Sequence, residues 1–128
     1  MLKRLFLLLL VTATSLAGRA GGESPLWLRS AAISPDGQKI AFTYKGNIFT
    51  ISVNGGQASQ LTSNAAYDAM PVWSPSGKYI AFTSTREGSM DIWLMSANGE
   101  GMTRLTTLHG SERPLMFLSD DELLFSAN

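Results

Sequence analysis

An all-β fold assembled from repeated four-stranded antiparallel sheets is what this sequence predicts, on three observations. Ser34 to Thr43 (SPDGQKIAFT) returns as Ser74 to Thr83 (SPSGKYIAFT), with seven of ten positions identical. NIFTISVNGGQASQLT (Asn47 to Thr62) is then answered by DIWLMSANGEGMTRLT (Asp91 to Thr106). No long helix is visible after the first twenty residues. A period of about 40–45 residues made of strand-like pieces marks a β-propeller blade and not a helical solenoid. The rival arrangement of such hairpins, a small β-sandwich, does not require a turn motif at fixed period.

Each unit parses by its turn chemistry. Ser34-Pro35-Asp36-Gly37 suits a type I turn, with Pro35 presetting φ and Gly37 closing it; Ser74-Pro75-Ser76-Gly77 is its counterpart. A short apolar piece precedes each turn, Ala31 to Ile33 or Pro71 to Trp73. After it, Lys39 to Thr43 and Tyr79 to Thr83 put Ile and Phe on one face and Ala and Thr on the other. Both faces are largely apolar, as in a strand sandwiched between neighbouring sheets. The third strand, Ile48 to Val53 or Ile92 to Ala97, runs into Asn54-Gly55 or Asn98-Gly99, read as type I′ turns with positive φ at both central residues. The fourth, Ala58 to Thr62 or Met102 to Thr106, is polar enough for an outer edge.

A third unit starts and stops. Pro114 to Ser126 aligns without gaps on Pro71 to Thr83, but its turn has lost Pro and Gly. The chain therefore divides into a leader over 1–20, a linker with a possible ring-closing strand over 21–30, blades over 31–70 and 71–113, and a partial blade over 114–128. Closed propellers need about four to eight blades. Two full blades and part of a third make an incomplete propeller with apolar faces open. The expected partner is the remainder of a longer polypeptide, or another protein.

The leader reads as a signal peptide: Lys3-Arg4, then an apolar run from Leu5, then small residues that permit cleavage after Ala17 or Ala20. The run is short of the roughly 20 residues that span a bilayer, so no stable membrane span is expected after cleavage. Export to the periplasm follows as an expectation. There is no Cys, so no disulfide framework is available. Losing Lys3, Arg4 and Arg19 leaves seven basic residues against ten acidic ones. With no basic stripe, nucleic acid is not an expected partner.

Motifs that carry chemistry are missing. G-x-S-x-G is absent, and His109 is the only histidine, which excludes H-E-x-x-H and any multi-His metal site. His109 reads as a loop residue. Gly99-Glu100-Gly101 is a turn and not a dinucleotide loop, and Gly77-Lys78 lacks the upstream Gly of a phosphate loop. Asp120-Asp121-Glu122 lacks the alternating ligands of a calcium loop and reads as a solvated hairpin tip. Trp73 and Trp93 read as packing residues, and Trp27 as part of the ring-closing strand. No cofactor, metal or catalytic residue is expected in this chain. The residues singled out are those of the repeat turns: Ser34, Pro35, Asp36, Gly37, Asn54, Gly55, Ser74, Pro75, Gly77, Asn98 and Gly99.

From Pro25 onward the sequence resembles the N-terminal propellers of exported tricorn-type serine peptidases, and more generally TolB-like propeller repeats. The general part of the resemblance is the SPDG…IAF…GG…LT repeat. The specific part is Pro25-Leu26-Trp27-Leu28-Arg29 before the first SPDG, Tyr67-Asp68 before the second, and Arg86-Glu87-Gly88 with Asp91-Ile92. The resemblance implies a non-catalytic propeller that guides or filters peptide for a PDZ-like domain and peptidase core absent from these residues. A periplasmic TolB-like interaction module is the alternative it implies. The sequence departs from the pattern at Ser76, where Asp is usual, and at Leu118 to Glu122, which puts the third blade in question.

Overall fold

Large and small apolar residues alternate along the second strand of each repeat, and the structure uses that alternation to stack its sheets. The computed structural model describes residues 27–128. The leader over 1–20 and its cleavage sites, with most of the linker, lie outside the described residues. The first sheet holds β1 (Leu28–Ile33), β2 (Lys39–Tyr44), β3 (Asn47–Ser52) and β4 (Ser59–Gln60), hydrogen-bonded in that order. The second repeats it with β5 (Asp68–Trp73), β6 (Tyr79–Ser84), β7 (Asp91–Ser96) and β8 (Thr103–Arg104). The third is a hairpin of β9 (Glu112–Ser119) and β10 (Glu122–Ala127). All neighbours are antiparallel. β5 packs on β1, β2 and β3, and β9 packs on β5, β6 and β7, so the sheets stack as blades.

Each interface joins a bulky face to a small one. Ile80, Phe82 and Met95 of the second sheet pack against Ala41 and Ile48 of the first, with Trp73 and Leu61 at the margin. On the other face of the second sheet, Ala81 and Ile92 receive Phe117, with Leu123 beside it. Burying a Phe side chain contributes about 1.5–3 kcal/mol. The Trp73 indole also donates to the Ala32 carbonyl at 3.0 Å, tying the second sheet to the first.

Among the described residues, no further sheet packs on the outer faces. Ile33, Ile40 and Ile51 are cross-strand partners, and so are Phe42 and Phe49, whose rings stack at 5.8 Å. Opposed residues share a face, so these five form the side of the first sheet turned away from the second; Ile33 is 65% exposed. On the third sheet Met116 pairs with Leu124, and both are exposed.

Strand limits differ from the sequence expectation for an identifiable reason. β1 starts at Leu28, β5 at Asp68 and β9 at Glu112, so boundaries at 31, 71 and 114 fall inside strands. In β1 and β5 a bulge lets the ladder continue upstream. The register shifts between Arg29 and Ala32 and between Ala69 and Val72, around Ser30 at φ 50° and Met70 at φ 56°. β4 and β8 shrink to two residues because the Ile48 amide donates to the Thr62 hydroxyl and the Ile92 amide to the Thr106 hydroxyl, each at 2.9 Å, so the reciprocal ladder bond is not made.

The turns require a correction. Asn54-Gly55 and Asn98-Gly99 are not type I′. Neither Asn has positive φ, and the Gly amides donate to Ser52 and Ser96 carbonyls at 2.9 Å. Each Asn is therefore the third residue of a type I turn and each Gly follows in the left-handed region. In the second sheet Ser96 N–H also donates to the Glu100 carbonyl (2.8 Å), closing a three-residue loop of type I turn plus bulge. The type I′ turn is Lys45-Gly46, φ 49° and 76°, between the paired residues Tyr44 and Asn47.

Gly99 and Gly55 separate backbone strain from interblade packing, since their φ values are 90° and 87°. A Cβ at Gly99 would lie 2.9 Å from the Leu61 carbonyl oxygen, while one at Gly55 would meet nothing within 4 Å. Gly55→Ala is expected to lose about 1–2 kcal/mol from conformation alone. Gly99→Ala is expected to lose a further ~1–3 kcal/mol from overpacking. Denaturant midpoints of the two variants check this; equal losses would contradict it.

Candidate functional site

Three acids with no appreciable exposure, Asp68, Asp91 and Glu112, stand at the strand ends where β5, β7 and β9 begin. A buried carboxylate is costly unless paired, and the sequence provides an arginine for each Asp but only a hydroxyl for Glu112. Arg86, in the loop from β6 to β7, donates through Nη2 to both Asp68 oxygens at 3.2 and 3.1 Å. Asn64 adds a bond of 2.8 Å. The remaining Arg86 donors reach Ser84 Oγ at 2.9 Å and Met102 Sδ at 3.0 Å, and its guanidinium lies 4.7 Å from the Trp93 ring centre. Arg104 Nη2 lies 2.8 Å from Asp91 Oδ2, and Ser89 donates to Oδ1 at 3.0 Å. Glu112 accepts from the Thr106 hydroxyl, which itself accepts from the Ile92 amide at 2.9 Å. Both arginines are thus engaged in holding neighbouring carboxylates.

This frame supports an open concavity of about 590 Å³ lined by Trp27, Lys45, Gly46, Ala65, Ala66 and Tyr67. The connection from β4 to β5 is fastened on both sides. Asp68 N–H donates to the Gly46 carbonyl at 2.8 Å, while the Tyr67 carbonyl accepts the Thr85 amide at 3.1 Å and the Tyr67 amide donates to the Thr85 hydroxyl at 2.9 Å. Gly46 allows the approach, since a Cβ there would come within 3.2 Å of the Tyr67 ring. Trp27 and Tyr67 are 61% and 45% exposed, with the Lys45 ammonium beside them over the Tyr44 ring. Two exposed aromatics and one cation suit binding of a partly apolar ligand. The sequence assigned Trp27 to a ring-closing strand; the structure places it in the turn before β1, on this concavity.

The repeat turns lie at the opposite end of the sheets. Buried Ser34 accepts the Gly37 amide on its carbonyl at 2.8 Å and the Lys39 amide on its hydroxyl at 2.9 Å, and donates to Asp36 at 2.6 Å. Ser74 repeats the backbone bonds with Gly77 and Tyr79. Pro35 and Pro75 are exposed second residues of these turns. Asp36 accepts the Gln38 amide, and Ser76 accepts the Lys78 amide in its place. A carboxylate reaches this turn from the next blade, on a different donor: Asp120 Oδ1 accepts the Ser76 amide at 3.0 Å. The acidic tip is therefore more than the solvated turn expected from sequence. Ser34, Asp36, Ser76 and Gly77 share a groove of about 140 Å³, whereas Asn54, Gly55, Asn98 and Gly99 close separate turns beyond β3 and β7.

Sequence reasoning selected the turns and missed the charged frame as a site. The signal was present, since Tyr67-Asp68, Arg86 and Asp91 belonged to the specific part of the family resemblance. What no single sequence reveals is that Asp68 meets Arg86 across β5 and β6. His109 is exposed in the β8–β9 connection. Among the described residues no group of three or more His, Asp or Glu is arranged to hold a metal, and no helix is long and apolar enough to cross a membrane.

Residues 25–128 match the family described as the tricorn protease N-terminal beta propeller domain. An uncharacterized protein of Agrobacterium fabrum is 32% identical over 99 residues, 72% of this chain and 33% of its own. The Tol-Pal system protein TolB of Syntrophus aciditrophicus is 46% identical over 87 residues, 68% of this chain and 19% of its own. Tricorn protease homolog 1 of Streptomyces coelicolor is 30% identical over 83 residues, 65% of this chain and 8% of its own. Among solved structures, a TolB-type protein of Agrobacterium tumefaciens superposes with TM-score 0.75 at 25% identity, covering 83% of this chain and 40% of that one. The tricorn protease superposes with TM-score 0.54 at 14% identity, covering 74% of this chain and 10% of that one, a likeness of fold alone. The chain thus spans a third or less of these curated relatives.

Removing Arg86 leaves Asp68 buried with Asn64 as its only remaining side-chain donor. Arg86→Met is expected to lose about 3–5 kcal/mol of stability, with Arg86→Lys recovering only part, because a point charge cannot reproduce the planar contacts. Urea midpoints check this, and a loss under about 1 kcal/mol would contradict a buried pair. At the other end, the Ser76 hydroxyl and amide hold the Asp120 carboxyl below its ordinary value of 3.8. Its folded value lies below its unfolded one, so the contact adds stability above pH 3.8 and loses it as pH falls through the lower folded value. An NMR titration is expected to place the Asp120 midpoint below 3.8, and to move it upward in Ser76→Ala. A midpoint at or above the ordinary value in the parent chain would contradict the contact.

Proposed function

The chain belongs to the tricorn protease N-terminal β-propeller family, and from that premise we propose that it is a non-catalytic propeller segment of an exported tricorn-like serine peptidase. In this reading it guides or filters peptide for a peptidase core outside these residues. The observation that carries it is the Trp27–Tyr67 concavity, open to solvent and backed by a frame whose cations are already engaged. A surface of this kind binds an extended, partly apolar chain without acting on it. Export rests on the basic and apolar leader over 1–20, and the periplasm is the compartment this reading assigns.

A second reading is a periplasmic TolB-like module that binds a folded protein. The 46% identity to a TolB sequence over 87 residues favours it. One experiment divides the two. Protein recovered from the exported fraction, with its N-terminus expected after Ala17 or Ala20, is titrated with an unstructured apolar peptide while tryptophan fluorescence is followed. Saturable binding is expected, weakened about fivefold or more by Trp27→Ala and by Tyr67→Ala. Binding that both substitutions leave unchanged, or no binding, would sink the peptide-guiding reading and leave the protein-partner reading standing.

A further inference from the structure

The two turns share Ser-x-Asn-Gly, with Val53 or Ala97 before the Asn and Gly56 or Glu100 after the Gly, and they are unequal in environment. Asn54 and Asn98 are both exposed, and both following Gly amides donate to a Ser carbonyl at 2.9 Å. Around Asn98 the loop is fixed. Its Oδ1 accepts from the Ser96 hydroxyl and lies 3.4 Å from the Glu100 amide nitrogen, which donates to it. Ser96 N–H to Glu100 carbonyl closes the hairpin at 2.8 Å. Gly99 presses on the Leu61 backbone of the first sheet. Around Asn54 none of this is present. Its side chain has no hydrogen-bond partner among the described residues, only its amide bonding to Ser52 Oγ at 3.2 Å. A Cβ at Gly55 or Gly56 would meet nothing within 4 Å, and among the described residues no Ser52–Gly56 backbone bond matches the one between Ser96 and Glu100.

We propose that Asn54 is a site of spontaneous deamidation and that Asn98, with the same Asn-Gly sequence, is protected by its turn. The Gly55 backbone nitrogen attacks the Asn54 side-chain carbonyl carbon, forming a C–N bond and closing a five-membered imide. The side-chain nitrogen leaves as ammonia, carrying the proton that Gly55 gives up. Water then opens the imide at either carbonyl, giving aspartate or its β-linked isomer and one new negative charge. No oxidant or cofactor is involved. The reaction requires the side chain to swing onto the next amide and that amide to leave its hydrogen bond. A Gly at the attacking position imposes no Cβ barrier to either movement.

At Asn98 the same motion must also break two side-chain bonds. Two modest hydrogen bonds lower the reactive population about tenfold. The full chain is incubated folded in mildly alkaline buffer, digested, and the two Asn-Gly peptides are followed by mass spectrometry. Conversion at Asn54 is expected to run about tenfold or more ahead of Asn98, and the two rates are expected to converge when the chain is unfolded in denaturant. Ser96→Ala, which removes one restraint, is expected to speed Asn98 and leave Asn54 unchanged. Equal rates in the folded chain, or a faster Asn98, would overturn the proposal; so would a difference that persists in denaturant, since local sequence and not the turn would then be its cause. If Ser96→Ala does not fold, the ratio in the parent chain still decides.

Discussion

Ala41 and Ala81, neither with any exposed surface, stand at one position of successive repeats and set how closely the blades approach. Stacked sheets pack about 10 Å apart, and two bulky faces cannot meet at that distance without strain. Ile80, Phe82 and Met95 therefore need a small surface opposite them, and Ala41 in the first sheet provides it. The period of two residues along a strand does the sorting, since large side chains fall on one face and Ala and Thr on the other. Leu124 occupies the corresponding place in the third sheet and stays 46% exposed. The outer surface of that hairpin consequently differs from the face that Ala41 and Ala81 present.

Stacking in this way fixes where the loops emerge, and buried charge then fixes the loops themselves. The Asp68–Arg86 pair joins the start of β5 to the loop after β6, and Arg86 also leans on Phe82 and Trp93. The same residues thus bond the interblade core to the rim of the concavity. A frame of this kind is poor in net stabilisation, because desolvation offsets much of the attraction. Its value lies in geometry: with Arg86 held by five neighbours, Tyr67 and Trp27 are presented on a surface that has little freedom to collapse.

Repeats also let a carboxylate reach a turn from elsewhere. The first SPDG turn holds its own carboxylate, Asp36, whereas the second has Ser76 and takes Asp120 from the adjoining blade. The contact links the degenerate third turn to the intact second one. The two Asn-Gly turns share the Asn-Gly pair itself and differ in what holds the Asn side chain and what faces the Gly.

Much of this was legible in the residues. The repeat, its type I turns at Ser34 and Ser74, the alternation of Ile-Ala-Phe-Thr and the edge position of the fourth strand follow from local rules about φ, side-chain direction and turn chemistry. The all-β class and the blade architecture follow from their period. Strand beginnings did not, because Ser30 and Met70 adopt positive φ against their own preference, and only the ladder on either side compensates for that. Nor could the sequence assign the type I′ turn to Lys45-Gly46, since Asn-Gly has the stronger local preference and loses to the register in which Tyr44 meets Asn47. The pairing of Asp68 with Arg86, the placement of Trp27 and the reach of Asp120 belong to tertiary structure alone. Each is a contact across strands or blades, and its partner is decided by how the sheets stack and not by any neighbour along the chain.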